Sequence, residues 1–111
     1  MSPNGIAGAV GAGAFAVVFT SIRTPGDDGY AQTSEEMMTL ALAQPGFLGV
    51  ESVRGEDGLG ITVSYWTDED AIRRWRAHAD HLVAQRAGRE RWYRAYVTRV
   101  CRVEREYGFE R

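Results

Sequence analysis

The sequence predicts an α+β domain in which helices cover one side of a single antiparallel sheet. Three observations support this class. Segments rich in β-branched and aromatic residues alternate with helical segments in the order β-α-β-β-α-β. Only a short glycine-containing turn separates the middle two strands, which predicts a β-hairpin. The chain has 111 residues, the length of one domain, and 44% of them are hydrophobic, enough to form an ordinary core.

The first part of the chain supplies one strand and one helix. Residues 15–22 (FAVVFTSI) are predicted to form the first strand because they are rich in β-branched and aromatic side chains. The loop TPGDDG follows, and Asp27 or Asp28 is predicted to cap the next helix. That helix is predicted over residues 30–43, and the Pro-Gly pair at 45–46 ends it.

The middle of the chain predicts a hairpin followed by a second helix. Residues 47–54 and 61–67 are its strands, joined through the turn GEDG. In the later strand Ile, Val and Tyr alternate with Thr, Ser and Trp, so the two sets are expected on opposite faces. The acidic segment that follows opens the helix, with Thr67 and Asp70 as a capping box.

The second helical segment is predicted to be divided and to lead into the last strand. Apolar residues at helical spacing continue to about residue 85 or 87, and Gly88 is predicted to end the helix. Residues 93–106 have a strand-like pattern. The complete order is that of a ferredoxin-like domain, which is built from a split β-α-β unit.

The same order predicts a simple domain organisation. Residues 1–14 are apolar but broken by glycines, and we expect a flexible N-terminal tail before a single domain over residues 15–111. The tail lacks the basic start and continuous apolar core of a secretory signal, so a cytoplasmic protein is expected. No run reaches the length of a membrane span. A sheet with helices on one side leaves apolar side chains on the other, so we expect a homodimer.

The composition argues against several functional classes. A net charge of −2 argues against a general nucleic-acid binder. Residues 1–72 hold two arginines and ten acidic residues, whereas residues 73–111 hold eleven arginines and five acidic residues. This asymmetry is interpreted as two faces of one surface, with recognition of a second protomer or of an anionic ligand as alternatives. The absence of lysine excludes lysine-dependent covalent catalysis. The single cysteine, Cys101, excludes an internal disulfide and is predicted to be a buried, inert thiol.

One segment, WRAHADHLVAQRAGRERWYRAY over residues 75–96, concentrates the residues that carry chemistry. It holds both histidines and two of the three tryptophans. These residue types at helical spacing suit a pocket for a planar or aromatic ligand. A metal site is disfavoured because Asp80 points away from the side of the helix that carries His78 and His81.

The motifs of the chain resemble those of the antibiotic biosynthesis monooxygenase superfamily. The resemblance rests on QPGFLG at 44–49, SYW at 64–66, Trp75, and HLVAQ at 81–85 with the later Gly88 and WY pair. It covers roughly residues 15–107 and implies a small dimeric α+β barrel. Members of this superfamily oxidise aromatic polyketides, degrade heme or handle small signalling molecules, so the fold alone does not imply one reaction.

The oxygenase members imply a reaction that needs O2 and no cofactor. They remove a proton from a phenolic or enol substrate, and the resulting carbanion reduces O2 in a dry aromatic pocket. On this resemblance His81 is the candidate base, and Gln85 or Arg89 is the candidate hydrogen-bond partner of a developing oxyanion; His81 and Gln85 are predicted to be catalytic. The predicted ligand-binding residues are Trp66, Trp75, Arg89, Trp92 and Tyr96. The predicted function is therefore oxidation of a small aromatic or polyketide-like molecule.

Two alternatives remain open at this point. Heme-degrading members carry an asparagine on the first strand and a tryptophan on the helix after the hairpin, with a histidine ligand about ten residues later. Trp75 matches the tryptophan, but Gln85 stands at the histidine position and the only asparagine is Asn4. We therefore predict no cofactor, with heme as the alternative. The other alternative is a non-catalytic module for small-molecule binding or dimerisation, in which the aromatic residues only pack the domain.

Overall fold

The computed structural model describes residues 5–111, and within them the chain forms four strands and three helices. Their order confirms the predicted β-α-β-β-α-β arrangement with a divided second helix. The elements are β1 (Phe15–Arg23), α1 (Tyr30–Ala43), β2 (Phe47–Arg54), β3 (Leu59–Trp66), α2 (Glu69–Gln85), α3 (Gly88–Trp92) and β4 (Tyr93–Arg102).

The four strands form one antiparallel sheet in the spatial order β2-β3-β1-β4. This order confirms the predicted ferredoxin-like fold, because the hairpin strand β3 and the last strand β4 both pair with β1. The sheet does not close on itself, so β2 and β4 are its two edges. β4 ends earlier than predicted, at Arg102, although Val103 still exchanges backbone hydrogen bonds with residues 13 and 14.

The two faces of the sheet have different neighbours. Phe15 and Val17 of β1 pack against a core cluster of Ala41, Trp66, Ala71 and Ile72, so the odd-numbered side chains of β1 face the helices. The register places Thr62, Ser64 and Trp66 of β3 on this same face. Ile61, Val63 and Tyr65 lie on the opposite, helix-free face, as the alternation predicted.

The helix starts differ from the predicted caps. The N-cap of α2 is Asp68 rather than Thr67, because the Asp68 carboxylate accepts a hydrogen bond of 2.8 Å from the Ala71 amide. At α1 the N-cap is Gly29, whose φ of 85° is left-handed. Asp27 still stabilises this start, since its carboxylate accepts hydrogen bonds from the amides of Gly29 and Ala31.

Gly88 begins α3 and does not end α2, which corrects the prediction. The chain turns at Ala87, whose φ of 51° is left-handed, and then enters α3. Gly88 is buried against Trp92, and a Cβ at this position would overlap the Trp92 ring. The glycine is therefore needed for the close approach of that ring.

Residues 5–14 contact the domain that follows them. The Ala7 amide donates to the Glu51 carboxylate, and the amides of Val10 and Gly11 donate to Glu106. The part of the predicted tail at residues 1–4 lies outside the described residues.

The prediction that Cys101 is buried is wrong for the single chain. Cys101 is exposed, because β4 is an edge strand and its register opposite Ala16 puts the thiol on the helix-free face. Among the helices of the described residues, none is long and apolar enough to cross a membrane. The cytoplasmic location stays a prediction.

Candidate functional site

Two of the predicted ligand-binding tryptophans form the core between α2 and β3. The Trp66 side chain is fully buried, and its Nε1 donates a hydrogen bond of 2.9 Å to Ser64 Oγ. Trp75 stacks on Trp66 with ring centroids 6.1 Å apart, and Phe47 contacts the same ring edge-on at 5.3 Å. This arrangement attaches α2 to the sheet, because aromatic pairs of this geometry add to the stability gained from burial.

The third predicted tryptophan, Trp92, is also buried. It is 2% exposed, and its Nε1 donates a hydrogen bond of 2.8 Å to the Asp28 carbonyl oxygen. Its ring contacts Tyr30 edge-on at 5.9 Å. Trp92 thus fixes the start of α1 against the end of α3 and supports the side chains around it.

Four aromatic side chains next to Trp92 form a continuous group that we call the aromatic surface: Phe19, Tyr30, Tyr93 and Tyr96. Tyr93 lies 5.6 Å from both Phe19 and Tyr96, and 6.1 Å from Tyr30. Phe19 also contacts Tyr96 at 5.3 Å. Tyr96 is 38% exposed and the other three are partly buried, so these rings are open to a ligand in the single chain.

The predicted ligand-binding residues therefore do not converge on one place. Trp66 is paired with Phe15 at one end of β1, whereas Tyr96 is opposite Ser21 near the other end. These positions are six residue steps apart along β1, which corresponds to about 20 Å. Of the predicted set, Tyr96 belongs to the aromatic surface and Trp92 lies directly behind it.

Tyr93 is the titratable group most affected by this environment. Burial, and next the neighbouring Tyr30 phenol, raise the pKa of Tyr93 well above its ordinary value. The guanidinium groups of Arg54 and Arg23 act in the opposite sense, which lowers the pKa to a smaller extent. A hydrogen bond with the Tyr30 phenol also raises the pKa of Tyr93, so the Tyr93 hydroxyl already has a partner within the aromatic surface.

His81 and Gln85, the predicted catalytic residues, are exposed on α2. The buried residues Ala71 and Ile72 define the side of this helix that faces the sheet. At 100° per residue, His81 is on roughly the opposite side and Gln85 at the border. Arg89 on α3 is exposed as well. The structure does not bring these three side chains to the aromatic surface, and their roles stay predictions.

The described residues do not fit the heme site of the heme-degrading relatives. β1 carries no asparagine, His81 is exposed on α2 away from its sheet-facing side, and Gln85 stands where the resemblance would place the histidine ligand. Gln85 is a poor iron ligand beside imidazole, so the residues at these positions do not suit a heme group.

A separate surface cleft lies away from the aromatic surface. It has a volume of about 510 Å3 and is lined by Ala12, Gly13 and residues 102–105. This cleft has no aromatic wall and no nucleophile, so it lacks the features that bind a planar aromatic ligand.

Comparison with known proteins identifies the family. The model of the antibiotic biosynthesis monooxygenase family matches residues 14–87. The chain belongs to this family. It is 52% identical over 96 residues to the uncharacterised protein YqjZ of Bacillus subtilis, covering 86% of this chain and 84% of that protein. It is 31% identical over 94 residues to the jasmonate monooxygenase ABM of Pyricularia oryzae, covering 80% of this chain but only 43% of that protein.

Solved structures show the same fold at low sequence identity. SnoaB from Streptomyces nogalater, a cofactor-independent oxygenase, superposes with a TM-score of 0.70 at 16% identity, covering 86% of this chain and 97% of SnoaB. Rv0793 from Mycobacterium tuberculosis superposes with a TM-score of 0.68 at 19% identity, covering 86% and 99%. At such identities the likeness shows the fold, and the reaction has to be argued from the site.

Proposed function

We propose that this protein binds a small aromatic molecule on the aromatic surface and oxidises it with O2 without a cofactor. The observation that supports this site is the continuous ring contact of Phe19, Tyr30, Tyr93 and Tyr96, which remain partly open. Partly exposed rings offer stacking partners for a planar ligand. Membership in a family of monooxygenases supports the reaction class.

The proposed reaction balances without an external reductant. An activated methylene becomes a carbonyl, CH2 + O2 → C=O + H2O, and its carbon supplies all four electrons that O2 takes up. One oxygen atom enters the product, and the other leaves as water together with the two hydrogens. Hydroxylation of an unactivated C–H bond would need two further electrons. We therefore propose substrates in which phenol or carbonyl groups acidify the methylene.

Tyr93 has a specific role in this proposal. In this proposal a substrate oxygen replaces the Tyr30 phenol as the hydrogen-bond partner of the Tyr93 hydroxyl. When the methylene loses its proton, negative charge develops on the neighbouring substrate oxygen, and a donor fixed beside it stabilises the transition state. His81 as base and Gln85 as hydrogen-bond partner stay predictions that the same assay tests.

Dithranol, a phenolic tricyclic ketone with an activated methylene, is a suitable probe. We expect O2 uptake faster than the spontaneous rate, insensitive to a metal chelator, with one O2 consumed per carbonyl formed. The Tyr93→Phe variant should be slower by about tenfold or more, the cost of losing one oxyanion donor. Tyr107→Phe is the matched control, since Tyr107 is 88% exposed. No acceleration of any such probe by the wild-type protein would contradict the proposed reaction.

We also propose that the protein is a homodimer through the helix-free face. Val53, Ile61, Thr20 and Val97 stand in one row across the four strands. Three of these four side chains, Val53, Ile61 and Val97, are apolar and exposed in the single chain, which is typical of a surface that a partner buries. Light scattering should give twice the 12.3 kDa chain mass. An Ile61→Asp variant should be monomeric, and a monomeric wild type at micromolar concentration would contradict the dimer.

A non-catalytic binding module is the second candidate. The observation that favours it is the exposure of His81 and Gln85 on α2, which leaves the aromatic surface without a described base. This candidate expects saturable binding of an aromatic ligand with no O2 uptake from any activated probe. Calorimetric titration together with an oxygen electrode distinguishes the two candidates.

A further inference from the structure

The two arginines of the acidic part of the chain both contact the turn residue Gly58. Arg23 and Arg54 are the only basic residues among residues 1–72, which carry ten acidic residues. The backbone amide of Arg23 and the Nη1 group of Arg54 donate to the same acceptor, the Gly58 carbonyl oxygen, at 3.1 and 2.5 Å. Both side chains are partly buried, and both guanidinium groups lower the pKa of Tyr93 in the aromatic surface.

Arg54 reaches this place by crossing a neighbouring strand. It starts on the edge strand β2, and its guanidinium lies over Gly60 of β3 to reach Ser21 of β1. There its Nη2 donates a hydrogen bond of 2.8 Å to Ser21 Oγ, which is 1% exposed. A Cβ on Gly60 would lie 2.6 Å from Arg54 Cζ, so only glycine permits this path.

Arg23 is held on the same face by an aromatic ring and by carbonyl oxygens. Its Cζ lies 3.6 Å from the centroid of the Tyr30 ring, a cation–π contact. Its Nε donates to the Trp92 carbonyl oxygen, and its Nη2 to the carbonyl oxygens of Gly26 and Asp27. These contacts leave the Nη1 group of Arg23 and the Nε of Arg54 without a hydrogen-bond partner among the described residues.

Neither guanidinium has a carboxylate partner in the described part of the chain. The three ion pairs found there involve other arginines, on α2 and at its C-terminal end. The two guanidiniums are partly buried and, within residues 5–111, donate hydrogen bonds only to neutral oxygens. This arrangement lowers the stability of the fold, because burial removes hydration and no counter-charge replaces it. A planar anion with two oxygens supplies this counter-charge and matches the geometry of a guanidinium.

We propose that Arg23 and Arg54 bind a carboxylate carried by the aromatic ligand, which deepens and rests on the proposed function of the aromatic surface. The ligand lies with its rings on Phe19 and Tyr96, and its carboxylate meets the free N–H groups of both arginines. The preferred substrates are therefore aromatic acids, and neutral aromatic molecules bind the same surface more weakly. Tyr93 contacts the rings of Phe19 and Tyr96 and is influenced by both guanidiniums, so in this proposal it binds a phenolic oxygen adjacent to the carboxylate.

Matched fluorescent probes test this inference. 1-Hydroxy-2-naphthoate and 1-naphthol share the same ring and hydroxyl, and only the first carries a carboxylate. We expect the acid to bind the wild-type protein about tenfold tighter or more, the effect of a charge-assisted hydrogen-bond pair. In Gly60→Ala the new methyl group displaces the guanidinium but keeps its charge, and in Arg54→Gln the charge is removed. Both variants should lose the preference for the acid and keep their affinity for 1-naphthol.

The outcomes separate this inference from the function on which it rests. Arg76→Gln is the control, since Arg76 is an exposed arginine on α2 and its loss changes net charge equally. A wild-type protein that binds both probes equally, or an equal loss in Arg76→Gln, would overturn the carboxylate site but keep the aromatic surface. Binding of neither probe would overturn both. Gly60 does not have a left-handed φ, so an alanine there is compatible with the backbone. We therefore expect the melting temperature of Gly60→Ala to be near the wild-type value, which shows that the fold is intact.

Discussion

Replacing Gly88 with alanine tests how closely the end of α3 is packed around Trp92. An ideal Cβ on Gly88 would overlap Cζ3 and Cε3 of the Trp92 ring and lie 3.1 Å from Cη2. The optimum separation of two carbon atoms is about 3.5–4.0 Å, so the ring or the helix must move by about 1 Å. Trp92 is 2% exposed and bonded through Nε1 to the Asp28 carbonyl oxygen, which prevents the ring from moving at low cost.

The magnitude follows from opposing contributions. Overpacking of this kind costs about 1–3 kcal/mol, and loss of the Trp92 hydrogen bond costs about 1 kcal/mol more. Alanine regains up to about 1 kcal/mol of helix propensity over glycine. We therefore expect Gly88→Ala to lower the free energy of unfolding by about 2 kcal/mol, which corresponds to a fall in Tm of about 8 °C for a chain of this length.

Thermal unfolding followed by circular dichroism measures this change. Gly108→Ala is the matched control, since a Cβ on Gly108 meets nothing within 4 Å, and its Tm should equal that of the wild type. An unchanged or higher Tm for Gly88→Ala would refute the packing argument. It would mean that the Trp92 ring adjusts freely and does not hold the aromatic surface rigidly from behind.

Three further predictions concern pH, capping and the sequence-based site. Burial first, and the hydrogen bond to Glu51 second, raise the pKa of Tyr65 from 10 to about 12. The contribution of Tyr65 to the free energy of unfolding is therefore complete below pH 10 and falls by about 1 kcal/mol as the pH rises towards 12. Urea unfolding of Tyr65→Phe should show a smaller fall over this range, and an equal fall would contradict this role. Asp68→Ala should lower Tm by a few degrees at pH 7, because the α2 cap is lost. The backbone hydrogen bond from Ala71 lowers the pKa of Asp68, so its cap is present above about pH 3.8 and lost in stronger acid, where variant and wild type should converge. His81→Ala should leave Tm unchanged, since the side chain is exposed, and should abolish O2 uptake if His81 is the base; undiminished uptake would remove it from the site.

The regular elements could be predicted from the sequence because their signals are local. The bounds of α1 and β2 agree with the prediction, since Pro45-Gly46 and the turn after Arg54 interrupt the pattern abruptly. The exchange of Asp68 for Thr67 as N-cap reflects a one-residue ambiguity between two good capping side chains. The prediction for Gly88 is wrong because a glycine near the end of a helical pattern most often ends the helix. Here the glycine is required instead by the ring of Trp92, which lies four residues later and packs against it.

The candidate site was harder to predict because it is assembled from distant parts of the chain. Residues 75–96 are the natural place to expect a site, since the histidines and most of the tryptophans cluster there. The aromatic surface instead takes Phe19 from β1 and Tyr30 from the start of α1, and joins them to β4 through strand pairing. One signal was available: Arg23 and Arg54 are isolated basic residues in an acidic region. Their convergence depends on strand register and on Gly60, which composition does not reveal.

The central claim is that an aromatic ligand binds at the aromatic surface, and backbone NMR during titration with 1-hydroxy-2-naphthoate tests it most directly. Ring currents of a bound naphthalene shift the amide signals nearest to it. We predict saturable shifts concentrated at Phe19, Tyr93 and Tyr96, with little change along the exposed side of α2 around His81. Shifts concentrated on α2, or at the cleft of residues 102–105, would contradict this claim.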